Sequence, residues 1–238
     1  MTINSIKKHS NLVKNVLTEY MNISSVIPIN FLETSPHIFD FSKKNKKLVS
    51  VDLNNAKKFI DYINNTLKIS GCSFGVGGYS ENRIIYRRSN LFENNVKPRS
   101  IHLGIDIWMP AKTQIYSPLT ATVHSFKDND NFGDYGPTII LQHSLHGIKF
   151  YTLYGHLSRL SLKNIKVGMK IKQGQQIATL GNYNENGQWP SHLHFQIISN
   201  LLRKKGDFPG VVSVSEQKYF LTLCPNPNLI LNIKKLKN

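Results

Sequence analysis

Short runs of alternating apolar and polar residues occupy the chain from Ile101 onward. Such alternation places apolar side chains on one face of a β-strand and polar side chains on the other. His146-Gly147 separates two of these runs and is typical of a tight turn between antiparallel strands. The pattern therefore predicts a mainly antiparallel β fold. The predicted strands are Gln114 to Phe126, Thr138 to His143, Ile148 to Tyr154, Lys166 to Lys172 and Leu193 to Ile198.

The N-terminal part of the chain has the periodicity of helices. Residues 3–22 carry apolar residues three and four positions apart, which predicts an amphipathic helix. A second apolar stripe over residues 56–67 predicts another helix, with Asp52 as a candidate cap near its start. Residues 23–50 between them are irregular and rich in aromatic residues, which we expect to cover a hydrophobic surface.

Residues 71–78 are glycine-rich and invite interpretation as a phosphate-binding loop. They lack the G-K-[ST] ending of such loops, and no dinucleotide fingerprint follows. We interpret them as a glycine turn that leads into a strand from Arg83 to Arg88. Because glycine allows close approach of a ligand, this segment is also a candidate wall of a cleft.

Composition narrows the class of protein. Of 238 residues, 40% are hydrophobic, so a folded core is expected. Thirty basic and fourteen acidic residues give a net charge of +16, which favours polyanionic surroundings such as anionic wall polymer. The lysines are scattered and are not interleaved with aromatic residues, so the charge equally describes a solvated surface, and no specific nucleic-acid site is expected.

Two further signals concern the compartment. Cys72 and Cys224 are the two cysteines of the chain and form no C-x-x-C motif, so a disulfide framework is excluded. We expect two buried thiols, with a single bridge between them as the alternative. The N-terminal residues contain no apolar core of a signal peptide, and no run of eighteen apolar residues occurs. We therefore expect a cytoplasmic protein without a transmembrane segment, or one exported to the cell envelope by another route.

The candidate chemistry lies in two short segments. His102 and Asp106 share one face of a predicted strand, and an ideal strand would hold their Cα atoms about 13 Å apart, so we expect Gly104 to bend it. His192 and His194 also share a face. Three or four ligand-type side chains then converge. Two imidazole nitrogens and one carboxylate oxygen, with a fourth position left for water, form the coordination shell of a catalytic zinc.

A third motif, Tyr154-Gly155-His156-Leu157, follows a predicted strand. With the H-x-x-x-D and H-x-H motifs on either side of it, the chain resembles the lysostaphin/LytM-type zinc metalloendopeptidases over roughly residues 99 to 199. The resemblance implies a β domain like a sandwich or barrel-sandwich hybrid. It also implies an enzyme that hydrolyses amide bonds in peptidoglycan stem peptides or cross-bridges.

The resemblance assigns roles to five residues. Zn²⁺ would be bound by His102, Asp106 and His194, whereas His156 and His192 would be the catalytic residues that move protons and stabilise the oxyanion. The other histidines have no motif, and we assign them to structure or surface. The domains implied are a helical N-terminal region packed on the core over residues 1–95, a LytM-like zinc peptidase domain over residues 96–205 and a C-terminal extension over residues 206–238.

Other functions fit parts of the sequence. A catalytically silent LytM-like protein that binds or regulates would keep the fold without the activity. A phosphoryl carrier of the sugar phosphotransfer type also uses facing histidines, but Asp106 would repel phosphate. Met169-Lys170-Ile171 imitates the lysine site of lipoyl and biotinyl carriers, which have no need of the histidines. The turn at Lys112-Thr113-Gln114 departs from the Gly-Thr-Pro of the family, which concerns substrate fit more than metal binding.

Overall fold

The computed structural model describes residues 2–93 and 97–236, which contain β-strands and helices in similar proportion. The α-helices are α1 (Ile3–Glu19), α2 (Lys46–Val49), α3 (Ala56–Ser70), α4 (Asn90–Glu93), α5 (Gln217–Leu223) and α6 (Asn228–Leu231). The strands are β1 (His37–Phe39), β2 (Gly75–Gly77), β3 (Arg99–His102), β4 (Ile105–Trp108), β5 (Gln114–Tyr116), β6 (Ala121–Asn129), β7 (Gly136–Leu145), β8 (Ile148–Gly155), β9 (Lys170–Ile171), β10 (Gln176–Thr179), β11 (His192–Ile198) and β12 (Val211–Ser213).

One 8-stranded sheet organises the molecule, in the order β1-β2-β4-β11-β8-β7-β6-β9. β1 and β2 pair in parallel, and the other neighbours in this sheet are antiparallel, so the predicted antiparallel β fold is confirmed. Two small antiparallel sheets, β5 with β10 and β3 with β12, flank it. Because β2 pairs with β4, the chain before residue 96 contributes strands to the same sheet as the motif residues.

Apolar residues from both faces of the sheet form the core. Every residue of β11 is buried, which is the pattern of a strand covered on both faces. Helix α1 packs against β8, α5 and α6 through a stripe that includes Val13 and Leu17. The aromatic residues Phe31, Phe39 and Phe41 are buried, as the sequence predicted. Within the described part of the chain, no helix has the length and apolar character needed to cross a membrane.

The hairpin that joins β7 to β8 confirms the predicted turn. His146 and Gly147 have φ values of 49° and 78°. Two successive positive φ angles are those of the two-residue turn whose twist matches antiparallel strands. The exact pairing of β7 with β8 follows from this turn, with Leu145 opposite Ile148.

Several local predictions were wrong. Residues Ile85–Arg88 form a 3₁₀ helix, not a strand. The glycine-rich segment contains strand β2, not only a turn, because Gly75 leaves room for Phe39: a Cβ there would lie 2.2 Å from the Phe39 ring. Helix α3 is capped by Asn55, whose side chain accepts a hydrogen bond from the Lys58 backbone, so Asp52 is not the cap.

Strand and helix limits also differ from those predicted. The run from Gln114 to Phe126 is split into β5 and β6, because Ser117, Pro118 and Leu119 turn the chain between two sheets. The predicted strand from Lys166 to Lys172 is reduced to two residues. Helix α1 ends at Glu19, before the predicted limit. Of the two thiols, Cys224 is buried and Cys72 is half-buried.

His143 on β7 is a buried histidine outside the motifs. Its Nδ1–H donates to the carbonyl of Thr120 over 3.1 Å, and its Nε2 lies 2.7 Å from Thr152 Oγ1. Burial lowers the pKa of His143 to about 4 from an ordinary 6.5. The neutral imidazole is therefore the native form.

We expect His143 to make the fold acid-sensitive. As pH falls, the unfolded chain takes up the proton near pH 6.5 while the native chain does so near pH 4, so stability is lost within that window. Between pH 7.5 and pH 5 the loss from this group is about 2 kcal/mol. Urea unfolding of the metal-free protein at both pH values measures it. His143→Asn, which keeps a donor for Thr120, should lose less stability; an equal loss in both proteins would contradict the assignment.

Candidate metal centre and active-site cleft

Asp106 and His194 are directly opposite each other on the paired strands β4 and β11. His102 is the last residue of β3, and the chain bends before β4 begins at Ile105. Gly104 lies in that bend, as predicted. A Cβ on Gly104 would lie 2.6 Å from His194 Cε1 and 2.8 Å from the Phe195 carbonyl oxygen, so only glycine lets the strand pass this close. The bend brings His102 alongside the other two residues.

Three buried atoms meet at this point. His102 Nε2 lies 3.0 Å from His194 Nδ1 and 3.2 Å from Asp106 Oδ1, and His194 Nδ1 lies 3.1 Å from Asp106 Oδ1. Ligands at 2.0–2.1 Å in a tetrahedral zinc site are separated by about 3.3 Å. The spacing of the three atoms therefore fits one divalent cation.

Hydrogen bonds to the outer nitrogens support the same conclusion. His102 Nδ1–H donates to the Gly78 carbonyl over 3.0 Å, and His194 Nε2–H donates to Gln196 Oε1 over 2.9 Å. The inner nitrogens, Nε2 of His102 and Nδ1 of His194, are then lone-pair donors that face a carboxylate oxygen. Three such atoms repel one another unless a cation lies between them, and metal-binding histidines are oriented in this way.

The charge states agree with a metal site. Burial, with the positive charge of Arg83, lowers the pKa of His102 to about 3, so this imidazole is neutral at physiological pH. Burial opposes ionisation of Asp106, but His102 and Arg83 outweigh it and hold the pKa of that carboxyl well below its usual range. A neutral imidazole at His102 and an ionised carboxylate at Asp106 are the protonation states that metal binding requires.

His192 lies beside the three donors. Its ring stacks on Trp108 with centroids 4.0 Å apart, and its Nδ1–H donates to the Pro190 carbonyl over 2.7 Å. The other nitrogen, Nε2, is 3.9 Å from Asp106 Oδ1. Burial lowers the pKa of His192 to about 4. Its Nε2 is therefore a hydrogen-bond acceptor at the edge of the metal centre.

His156 follows the end of β8 and completes the group. Its φ of 63° is left-handed, which is uncommon for a residue other than glycine and costs about 1 kcal/mol or more. Its Nδ1–H donates to the Asn186 carbonyl over 2.8 Å, and its ring centroid is 4.2 Å from that of His192. Burial and the neighbouring His192 and His194 lower the pKa of His156 well below its usual range. The neutral ring can accept a proton at Nε2.

The geometry agrees with a match to known proteins: residues 100–206 match the family model described as Peptidase family M23. This segment belongs to peptidase family M23. The matched segment contains the five residues of the three motifs, which are His102, Asp106, His156, His192 and His194. The resemblance noted in the sequence is confirmed for this segment.

Individual relatives are similar to part of this chain. A protein of Haemophilus influenzae named "Uncharacterized metalloprotease" is 31% identical over 127 residues, which are 50% of this chain and 24% of that protein. A zinc-containing peptidase from Vibrio cholerae is 27% identical, covers 41% of this chain and 27% of its own, and has a TM-score of 0.34. The catalytic domain of lysostaphin from Staphylococcus simulans is 22% identical, covers 67% and 97%, and has a TM-score of 0.41. The chain thus spans about a quarter of the first two relatives.

The candidate metal centre lies at a cavity of about 240 Å³. Asp106, His156, His192 and His194 are among its lining residues. Other lining residues come from outside the matched segment. Ile85, Tyr86, Leu91 and Phe92 precede it, and Pro209, Gly210 and Val211 follow it. The predicted wall over residues 71–78 is not among the described lining residues, although the Gly78 carbonyl holds His102.

Sequence reasoning missed one residue of the centre. The second carboxylate oxygen of Asp106, Oδ2, lies 2.5 Å from Arg83 Nη1. Arg83 belongs to no motif and was assigned to a strand that does not form. Its only sequence signal was its place between the glycine-rich segment and the first motif, which is too weak to indicate a partner.

Proposed function

We propose that this chain is a zinc-dependent endopeptidase that hydrolyses amide bonds in the peptides of peptidoglycan. The observation that carries the proposal is the meeting of His102 Nε2, Asp106 Oδ1 and His194 Nδ1 within 3.0 to 3.2 Å, with two more neutral imidazoles at its edge. Structural zinc sites use four protein ligands, whereas catalytic sites use three and leave one position for water or substrate.

Zinc suits this donor set because it binds imidazole nitrogen and carboxylate oxygen in tetrahedral geometry. A zinc ion held by these three residues would polarise the scissile carbonyl and make water acidic enough to act as a nucleophile near neutral pH. The buried hydrogen bonds to Gly78 and Gln196 keep each ligand in the required orientation.

His156 and His192 supply the proton transfers. Each has its Nδ1–H engaged by a backbone carbonyl, so each presents Nε2 as the reactive atom. A neutral imidazole accepts the proton of the attacking water, and the imidazolium so formed is the acid that donates to the oxyanion or the leaving nitrogen. Two adjacent rings allow uptake and delivery to be divided between them.

The cavity favours a peptide substrate. Aromatic side chains surround the centre, including Tyr86, Trp108, Tyr135 and Trp189. Apolar walls interspersed with charged and polar side chains suit a short peptide segment. The net charge of +16 supports attraction of the chain to an anionic wall polymer that carries such peptides.

Zinc content and peptidoglycan digestion test the proposal together. We expect one equivalent of zinc per purified chain, and release of peptide fragments whose masses correspond to cleaved amide bonds. A chelator should stop the release, and added zinc should restore it. Stoichiometric zinc without any released fragment would reject the enzyme hypothesis in favour of a catalytically silent binding protein. Absence of zinc binding would reject the metal centre itself.

A further inference from the structure

Arg83 lies directly behind the metal centre. Its side chain is fully buried, and its Nη1 donates to Asp106 Oδ2 over 2.5 Å. The other carboxylate oxygen, Oδ1, is the atom that faces His102 and His194. The two oxygens of Asp106 therefore have different partners, and rotation of the carboxylate would break one set or the other.

Three more groups hold the guanidinium in place. Nε donates to Glu81 Oε2 over 2.7 Å, Nη2 donates to the Gly78 carbonyl over 3.0 Å, and Nη1 lies 3.3 Å from the Tyr86 hydroxyl. A planar guanidinium with partners on all three nitrogens has one permitted orientation. The position of Asp106 Oδ2 is set by that orientation.

The same segment also holds His102. The Gly78 carbonyl accepts hydrogen bonds from both Arg83 Nη2 and His102 Nδ1. Backbone hydrogen bonds join the two stretches of chain: His102 N donates to the Glu81 carbonyl over 3.0 Å, and Arg83 N donates to the Ser100 carbonyl over 2.9 Å. Two of the three metal ligands are thus oriented by residues that precede the matched segment of residues 100–206.

We propose that Arg83 is a positioning residue of the metal centre, which fixes Asp106 so that a single carboxylate oxygen points to the metal. The proposal rests on the proposed function, since it requires that the centre bind zinc. Arg83 is not among the residues that line the cleft, and its partners are Asp106, Glu81, Gly78 and Tyr86. It makes the region before the M23 domain part of the metal centre.

The charge of Arg83 and its positioning of Asp106 predict opposite effects on zinc affinity, so a measurement of that affinity distinguishes them. A fixed positive charge on Arg83 repels a cation bound at Asp106 Oδ1, and the carboxylate of Glu81 offsets only part of this repulsion. If charge alone mattered, removing the guanidinium would tighten zinc binding. If positioning dominates, removing it weakens zinc binding by about 10- to 100-fold, as is typical of groups that orient metal ligands.

The experiment measures zinc affinity in the full chain by competition with a chromophoric chelator. We expect Arg83→Gln to weaken binding by about 10- to 100-fold and Arg83→Lys by about 10-fold, because an ammonium keeps the charge but cannot hold three partners in one plane. The visible absorption of the cobalt-substituted proteins should change in both variants. Arg88→Gln is the matched control: Arg88 is also buried, but lies against the rings of Phe59, Phe132 and Trp189, and its removal should leave zinc affinity unchanged.

Circular dichroism of each metal-free variant first shows which of them are folded. Zinc binding as tight as wild type, or tighter, in a folded Arg83 variant overturns the proposal, and the lysine variant decides alone if the glutamine variant does not fold. An equal loss of affinity in Arg88→Gln would also overturn it, because the effect would then be general destabilisation. If wild type itself binds no zinc, the proposed function fails instead, so the two failures are distinguishable.

Discussion

Replacement of His192 or His156 should leave zinc bound and lower the rate of peptide hydrolysis by about 10²- to 10⁴-fold, the usual effect of losing a general acid or base. Neither imidazole is one of the three converging donors, so the metal keeps its protein ligands. His192→Ala removes the ring that stacks on Trp108. For His156 the better variant is His156→Asn, because asparagine tolerates the left-handed φ of 63° and alanine does not.

The measurement is kcat/KM on peptides released from peptidoglycan, together with zinc content. His9→Ala is the matched control, because His9 is half-buried on α1, does not line the cleft and contacts the Lys149 carbonyl. Full activity in the His156 and His192 variants would reject their role in proton transfer. If wild type and both variants bind zinc and none of them cleaves any peptide, these histidines have no catalytic task and the chain is a binding protein.

Asp106→Ala should have the largest combined effect, with loss of zinc and a fall in the free energy of unfolding of about 3–5 kcal/mol. The metal loses one of three protein ligands, and the buried guanidinium of Arg83 loses the carboxylate that compensates its charge. Asp106→Asn keeps an oxygen near Arg83 and should be less destabilised, although its neutral amide is a poor ligand. His102→Ala should also lose zinc, without leaving Arg83 uncompensated.

Denaturant unfolding of the metal-free proteins measures the fall in the free energy of unfolding. Zinc analysis of the purified proteins measures the loss of the metal. The difference between the alanine and asparagine variants at Asp106 measures what the uncompensated charge costs. Stoichiometric zinc in both Asp106→Ala and His102→Ala would disprove the ligand assignment.

The approach of the motif histidines to Asp106 could be predicted from the sequence, because the signals for it are local. Alternation along a strand predicted that His192 and His194 share a face, and a glycine between His102 and Asp106 predicted the bend that lets both approach one point. The pairing of β4 with β11 then places Asp106 opposite His194. Each of these relations depends on residues a few positions apart or on strand pairing that the alternation itself favours.

The position of Arg83 behind the candidate metal centre depends on contacts between segments that are distant in sequence, which no local sequence pattern indicates. Arg83 reaches Asp106 because β2 pairs with β4 and carries the following loop to the back of the centre. Residues 83–88 were predicted to form a strand after the glycine-rich segment, yet Ile85 and Tyr86 pack in the aromatic cluster and residues Ile85–Arg88 form a 3₁₀ helix. The glycines of β2 likewise serve packing and not a turn, since Gly77 gives room to the Arg83 guanidinium, 2.6 Å from a Cβ placed there.

The chain contains two tryptophans, and both lie in the wall of the cleft. Trp108 is stacked on His192, and Trp189 is 6.4 Å from both His156 and His192, measured between ring centroids. The tryptophan fluorescence of this chain therefore originates at the candidate active site. Metal uptake, entry of a peptide and protonation of the neighbouring imidazoles all change the surroundings of these two indoles, so each step can be followed by emission in the unlabelled native protein.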